Sequence, residues 1–290
     1  MGLAGNPEVS KRLEMVSKLI LQHEDLGKFL ELERDVLKVQ LEIEKSEAKG
    51  VFSSRLERLP LEELMRESLK AKTPMNLLID ATILDFSYLH APFMKVLSIL
   101  AERNIDGEDS EKLLRAMQTC EISLTKLIEM ILREDEALFK EYVSKLSIQP
   151  TLLMYAVNSV LRPFFEEIAR KAHPSFYDKW WEARCPICGR TPNIAKIKQR
   201  RRYLVCTFCG AEYLSDYFLC VHCENRDPSA MKYLSDEKEP RFRIDFCTKC
   251  LGYLKVLDED SVSDVIPKGF EDILTLSLDP IAMNKGLKRN

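Results

Sequence analysis

The chain has 290 residues, 46% of them hydrophobic and 31% charged, with a formal net charge of −3. That supplies a sizeable core, divided most naturally into one large and one small domain, and too little positive charge to demand a nucleic-acid partner. The most apolar stretch, Leu152 to Phe165, is interrupted by Asn158, Arg162 and Pro163, so no membrane-spanning helix is expected, and the opening Met1–Pro7 offers no apolar signal segment.

Helical spacing dominates the first 180 or so residues. Val9, Leu13, Val16 and Ile20 form one apolar stripe, and Phe29, Leu32, Val36, Val39 and Ile43 form a second. Leu61, Leu64, Met65 and Leu69 follow Pro60, a good first-turn residue. Thr73-Pro74 predicts a cap and first turn for an apolar helix running through Leu84. After a break at Asp106-Gly107, Leu113, Met117, Cys120, Leu124, Leu127 and Ile131 make the cleanest stripe, with Cys120 expected as an inert core thiol. Gln149-Pro150-Thr151 opens a long helix with a kink expected at Pro163. Stripes of this kind predict a bundle of about six to eight helices over residues 1–181.

No catalytic constellation stands out in that half. His90 and His173, each near a proline, lack a second ligand at useful spacing and are expected to be packing or surface residues. Asp80 and Asp85 sit in the apolar segment as solvent-facing or paired carboxylates. Trp180-Trp181 are expected to pack the two domains together as a hinge.

Residues 182–290 are of another kind: a tandem metal-binding ribbon domain with a C-terminal helical tail. Eight of the nine cysteines form Cys-x-x-Cys pairs within 66 residues: Cys185/Cys188, Cys206/Cys209, Cys220/Cys223 and Cys247/Cys250. Two residues between thiols let both face one ion, and two such turns complete a tetrahedral four-sulfur site, so eight ligands imply two sites. A disulfide framework would suit a small secreted domain without an adequate core. Four thiolates suit structural zinc or rubredoxin-type iron equally and leave no open position for substrate. Two bound ions, Zn or Fe, are therefore expected, and would shift the formal charge to about −7.

Gly189 and Gly210 follow the first two pairs, where positive φ turns amides toward sulfur. Ile194, Ile197, Tyr203 and Val205 predict a hairpin turning among Lys198 to Arg201; Met231–Leu234 and Arg241–Ile244 predict another around the acidic Asp236–Glu239. Each half then holds its own hairpin, which favours sequential pairing of the cysteine sets over an interleaved cross-brace. His222 lies inside a pair and is expected to stay outside the sulfur set.

Several segments resemble the formate dehydrogenase accessory proteins of the FdhE type: Cys185-Pro-Ile-Cys-Gly-Arg-Thr-Pro192, Arg202-Tyr-Leu-Val-Cys-Thr-Phe-Cys209, Cys220-Val-His-Cys-Glu224, Arg243-Ile-Asp-Phe-Cys-Thr-Lys-Cys250, Gly252-Tyr-Leu-Lys255 and Asp272-Ile-Leu-Thr-Leu-Ser-Leu-Asp279. They run through about a third of the chain. Tyr213-Leu214 and Tyr217 stand where that family has Trp-His and an arginine. The resemblance implies a mainly α fold with a rubredoxin-like or zinc-ribbon domain and a cytoplasmic, non-enzymatic assembly factor. Its partner would be the catalytic subunit of formate dehydrogenase or a related molybdenum/tungsten oxidoreductase.

Two other readings are open. Lys196, Lys198, Arg200, Arg201 and Arg202 beside Tyr203 could track a phosphate backbone, although charge balance for the thiolates and solvation of the hairpin tip explain them as well. A rubredoxin-like electron carrier would need iron in one site. The oligomeric state is not written in the sequence.

Overall fold

The computed structural model describes residues 7–22, 27–47, 59–80, 84–235, 241–261 and 269–289. Its helices are α1 (Pro7–Gln22), α2 (Gly27–Glu47), α3 (Leu61–Ala71), α4 (His90–Glu102), α5 (Glu108–Gln118), α6 (Leu124–Leu132), α7 (Glu136–Leu146), α8 (Pro150–Lys171), α9 (Pro174–Lys179), α10 (Glu271–Leu274) and α11 (Leu278–Asn284). The strands are β1 (Ile194–Lys198), β2 (Arg201–Val205), β3 (Glu212–Ser215), β4 (Met231–Ser235), β5 (Phe242–Cys247) and β6 (Tyr253–Asp258). No helix among the described residues is long and apolar enough to cross a membrane. Two compact units result: Met1–Pro60 with Ile79–Phe164, and Leu61–Leu78 with Phe165–Asn290.

In the first unit α2 packs against α1 and α4, and α4 against α5. Val16, Val36, Val39 and Ile43 are buried as their stripes predict, but Phe29 is 46% exposed. Polar bonds fix α8 to α2: the Gln40 amide donates to the Ser159 carbonyl at 2.9 Å and the Tyr155 hydroxyl to Glu33 at 3.0 Å.

The long stripe through Cys120 is two helices. α5 ends at Gln118, and Cys120 sits at φ 56° with its side chain exposed, so the expectation of a core thiol is wrong. The reason is a helix stop: the Glu121 amide bonds the Ala116 carbonyl at 2.9 Å and the Cys120 amide bonds Met117 at 3.2 Å. The same left-handed stop closes α4 at Asn104, α6 at Glu134 and α7 at Ser147. Glycine normally marks that position, and none of these stops carries one.

The predicted helix from Thr73 through Leu84 also fails. Met75–Leu77 form only a single 3-10 turn, in which the Met75 amide donates to the Pro186 carbonyl at 2.8 Å and the Asn76 amide to Ile187 at 3.0 Å. A distant loop thus accepts from amides that the first turn of a helix leaves without an internal partner. Asp85 opens a turn by accepting from the Ser87 amide at 2.8 Å; residues 81–83 of that stretch lie outside the described residues.

The second unit holds one six-stranded sheet, ordered β3-β2-β1-β6-β5-β4. Two ribbons were expected. They are present as two three-stranded halves, but β1 runs parallel to β6 and joins them edge to edge, with Ile194 opposite Lys255. The first hairpin turns at Gln199 and Arg200, both at positive φ, and aligns Lys198 with Arg201 as predicted. Asp260 accepts from both turn amides, at 2.7 and 2.9 Å. The second hairpin pairs Met231 with Cys247; the acidic turn Asp236–Glu239 lies outside the described residues. Sequence reasoning missed β3 and β6. β6 is buried along nearly its whole length and so shows no alternation.

α10 and α11 are held to the sheet by two buried lysines. Lys255 on β6 is 1% exposed and donates to the carbonyls of Asp272 and Thr275 and to Asp279 Oδ2, at 3.1, 3.3 and 3.0 Å. The Tyr253 hydroxyl reaches Asp279 Oδ1 at 2.6 Å, and Arg289 pairs with both aspartates. Lys196 on β1 pairs with Glu271 at 3.0 Å and Glu259 at 3.2 Å.

Candidate metal centres

All four Cys-x-x-Cys loops are built alike. The first cysteine's amide bonds the carbonyl five residues on: Cys185 to Arg190, Cys206 to Ala211, Cys220 to Asn225 and Cys247 to Gly252, at 2.8 to 3.0 Å. Its carbonyl accepts from the residue four on, which is Gly189, Gly210, Glu224 or Leu251, each with φ between 58° and 72°. Glycine takes that conformation freely; Glu224 and Leu251 take it at a cost of about 1 kcal/mol.

These loops bring eight sulfurs into two sets, Cys185/Cys188/Cys206/Cys209 and Cys220/Cys223/Cys247/Cys250, each with its sulfurs within 4.8 Å of one another. The sets follow sequence order. Across the first, Cys185 and Cys209 lie 3.5 Å apart and Cys188 and Cys206 3.4 Å; across the second, Cys220 and Cys250 lie 3.6 Å apart and Cys223 and Cys247 3.8 Å. A tetrahedron of sulfurs about 2.3 Å from a zinc ion has an edge of about 3.8 Å, so the donor set fits such an ion. All of these cysteines are free thiols.

Charge supports the same fit. Sulfur hydrogen bonds, led by that from Cys185, hold the Cys206 thiol well down, whereas burial pushes Cys185 and Cys209 well up. In the second set burial pushes Cys220 up to about 12. Buried thiols left to themselves do not all ionise; a divalent cation supplies the charge that lets them do so.

The surroundings of the two sets differ. Every cysteine of the first is buried. The Arg190 guanidinium lies over the Phe208 ring at 3.2 Å, with Phe165 packed 5.6 Å away on centroids. The Arg184 side chain donates to the Gly189 carbonyl, the Tyr213 hydroxyl to Ala183 at 3.0 Å and the Trp180 indole to Arg184 at 2.8 Å. Trp180 is buried, while Trp181 is 44% exposed. In the second set Cys220 and Cys247 are buried, Cys250 is half-buried and Cys223 is exposed. The His222 ring is outside the sulfur set: Nε2 donates to the Tyr253 carbonyl at 2.9 Å, and a β-carbon on Gly252 would come within 2.3 Å of the ring.

The other residues singled out have structural places. His173 caps α9 through Nδ1, and His90 is exposed at the start of α4. Of the basic tract, Lys196 is buried among carboxylates, and Arg202, 1% exposed, donates to the carbonyls of Asp216 and Leu219 at 2.8 and 3.0 Å. Lys198 bonds Glu212 at 2.6 Å. Arg200 and Arg201 alone of the five are exposed, so the tract forms no continuous cationic stripe. The signal for this was available in the acidic Glu212, Glu259 and Glu271, but their distances in sequence hid the pairing.

No protein-family model matches the chain. It is 28% identical over 144 residues to the protein FdhE homolog of Aquifex aeolicus (strain VF5), covering 48% of this chain and 50% of that one. Over 114 residues it is 33% identical to the FdhE homolog of Stutzerimonas stutzeri (strain A1501), covering 36% and 35%. The chain therefore spans about half, or about a third, of the length of these curated relatives. The crystal structure of the FdhE protein from Pseudomonas aeruginosa superposes with a TM-score of 0.59 over 98% of this chain and 93% of that one, at 19% identity, a likeness of fold. In sequence the chain is thus similar to relatives named FdhE homolog, and in fold to the FdhE protein itself.

Proposed function

We propose that the protein is a cytoplasmic assembly factor for formate dehydrogenase, or for a related molybdenum/tungsten oxidoreductase, and that it binds the catalytic subunit without turning over substrate. One observation carries the reading. The segments that resemble the accessory family, Gly252–Lys255 and Asp272–Asp279, interlock through the buried Lys255, Tyr253 and Asp279. The resemblance thus extends beyond ligand spacing to a specific buried framework, which a generic ribbon does not need.

The chemistry fits. A cation held by four thiolates cross-links loops and leaves no position for substrate, so such a centre would order adjoining loops against a partner rather than carry out catalysis. Zinc and iron suit the sulfurs equally.

Deleting the gene should lower formate dehydrogenase-type activity in the host while client transcript levels stay unchanged. Affinity purification of the protein should recover the catalytic subunit. Replacing Cys220 and Cys223 with serine should restore little activity. Full activity of every such enzyme in the deletion strain, with no catalytic subunit recovered, would defeat the assignment.

A further inference from the structure

We infer that the two centres are unequal: the Cys220/Cys223/Cys247/Cys250 centre is an exchange site, open to a thiolate or chelating ligand from solution at its Cys223 corner, and the Cys185/Cys188/Cys206/Cys209 centre is a permanent staple. The inference rests on the reading of both sets as cation sites.

Access is the first ground. Every cysteine of the first set is buried, and its loops bond the Met75 and Asn76 amides from outside the ribbon and the Arg184 side chain within it, with Arg190 stacked on Phe208. At the second set Cys223 is exposed, and so are its neighbours Glu224, Lys249 and Leu251. Backbone conformation is the second ground. The left-handed position is glycine in both loops of the first set, Gly189 and Gly210, but Glu224 and Leu251 in both loops of the second. The second pair of loops therefore holds its sulfurs together against a local backbone preference that the first pair lacks.

In the exchange step a donor atom of the incoming ligand forms a bond to the cation and the bond from the cation to Cys223 breaks. Cys223 leaves with the electron pair as a thiolate and takes a proton from solvent, with no change of oxidation state. The ligand class is a small thiol or chelate, and the cargo a soft divalent cation.

The full chain, zinc-loaded and carrying Cys120→Gly to remove the exposed ninth thiol, would be treated with EDTA while released zinc is followed, with iodoacetamide pulses mapped by mass spectrometry. One zinc equivalent should leave about tenfold faster or more than the other, with Cys223 and Cys250 alkylated in step and the first set still protected. A single rate for both ions, or earlier alkylation of the first set, would overturn the inference; if the starting content is close to two ions, the four-thiolate reading itself survives. A starting content near zero overturns both.

Discussion

Lys255 is a charge placed where burial is nearly complete, and it is tolerated because two carboxylates and two carbonyls converge on it. Lys255→Met keeps much of the volume but removes the buried cation from Asp272 and Asp279, leaving Arg289 to pair with both and the Tyr253 hydroxyl to bond Asp279. We expect a loss of about 3 kcal/mol in denaturant unfolding of the metal-loaded protein. The left-handed loop positions should respond with opposite signs. Glu224→Gly and Leu251→Gly remove a backbone penalty and should each stabilise by about 0.5 to 1 kcal/mol, whereas Gly210→Ala introduces one and should destabilise by about 1 kcal/mol. Equal effects of both kinds of change would show that loop conformation is not the controlling variable. Gly252→Ala is a different case, because the new methyl meets the His222 ring; a loss of roughly 1 to 3 kcal/mol is expected.

Among the elements, the β1–β2 hairpin shows how a turn without glycine is kept. Gln199 and Arg200 both adopt positive φ, and Asp260 holds their amides. Bonds from Arg200 and then Gln199 lower the Asp260 pKa. Its contribution is therefore complete above the unfolded value near about 3.9 and is lost as pH falls through the lower folded value. The amide resonances of Gln199 and Arg200 should move together with that low midpoint, and Asp260→Ala should abolish the transition. The hairpins and the cysteine sets were legible in the sequence because their information is local: two-residue spacing, alternation, a turn between. The helix ends at Cys120, Glu134 and Ser147 were not, since the residue types there do not advertise a left-handed stop. Nor was the β1–β6 seam, whose partners are about 60 residues apart and whose central strand is buried throughout. Equally hidden were the bonds from the Met75 and Asn76 amides to a loop more than 100 residues away, made where a helix from Thr73 was expected and a single 3-10 turn stands.

At the scale of the molecule, the two units should differ in their dependence on metal. Leu97, Leu127 and Leu153 lie in the first unit, each fully buried among helices that need no ligand. The second unit gains on the order of 10 kcal/mol per zinc site by comparison with zinc peptides. Removing both ions should unfold the second unit and leave most of the helical circular dichroism of the first. Complete loss of the helical signal on chelation would show that the first unit does not stand alone.

The amides of Met75 and Asn76 that end on the first cysteine loop set a timetable for synthesis. Asn76 is made about 110 residues before its acceptor, which at translation speeds of 5–20 residues per second is an interval of roughly 5 to 20 s. The stretch Ile79–Phe164, most of the first unit, is produced within that interval. A ribosome stalled anywhere between the two leaves Leu61–Leu78 waiting for a loop that does not yet exist, and a nascent chain is ready to close its first cysteine centre only after the helices coded in between have emerged.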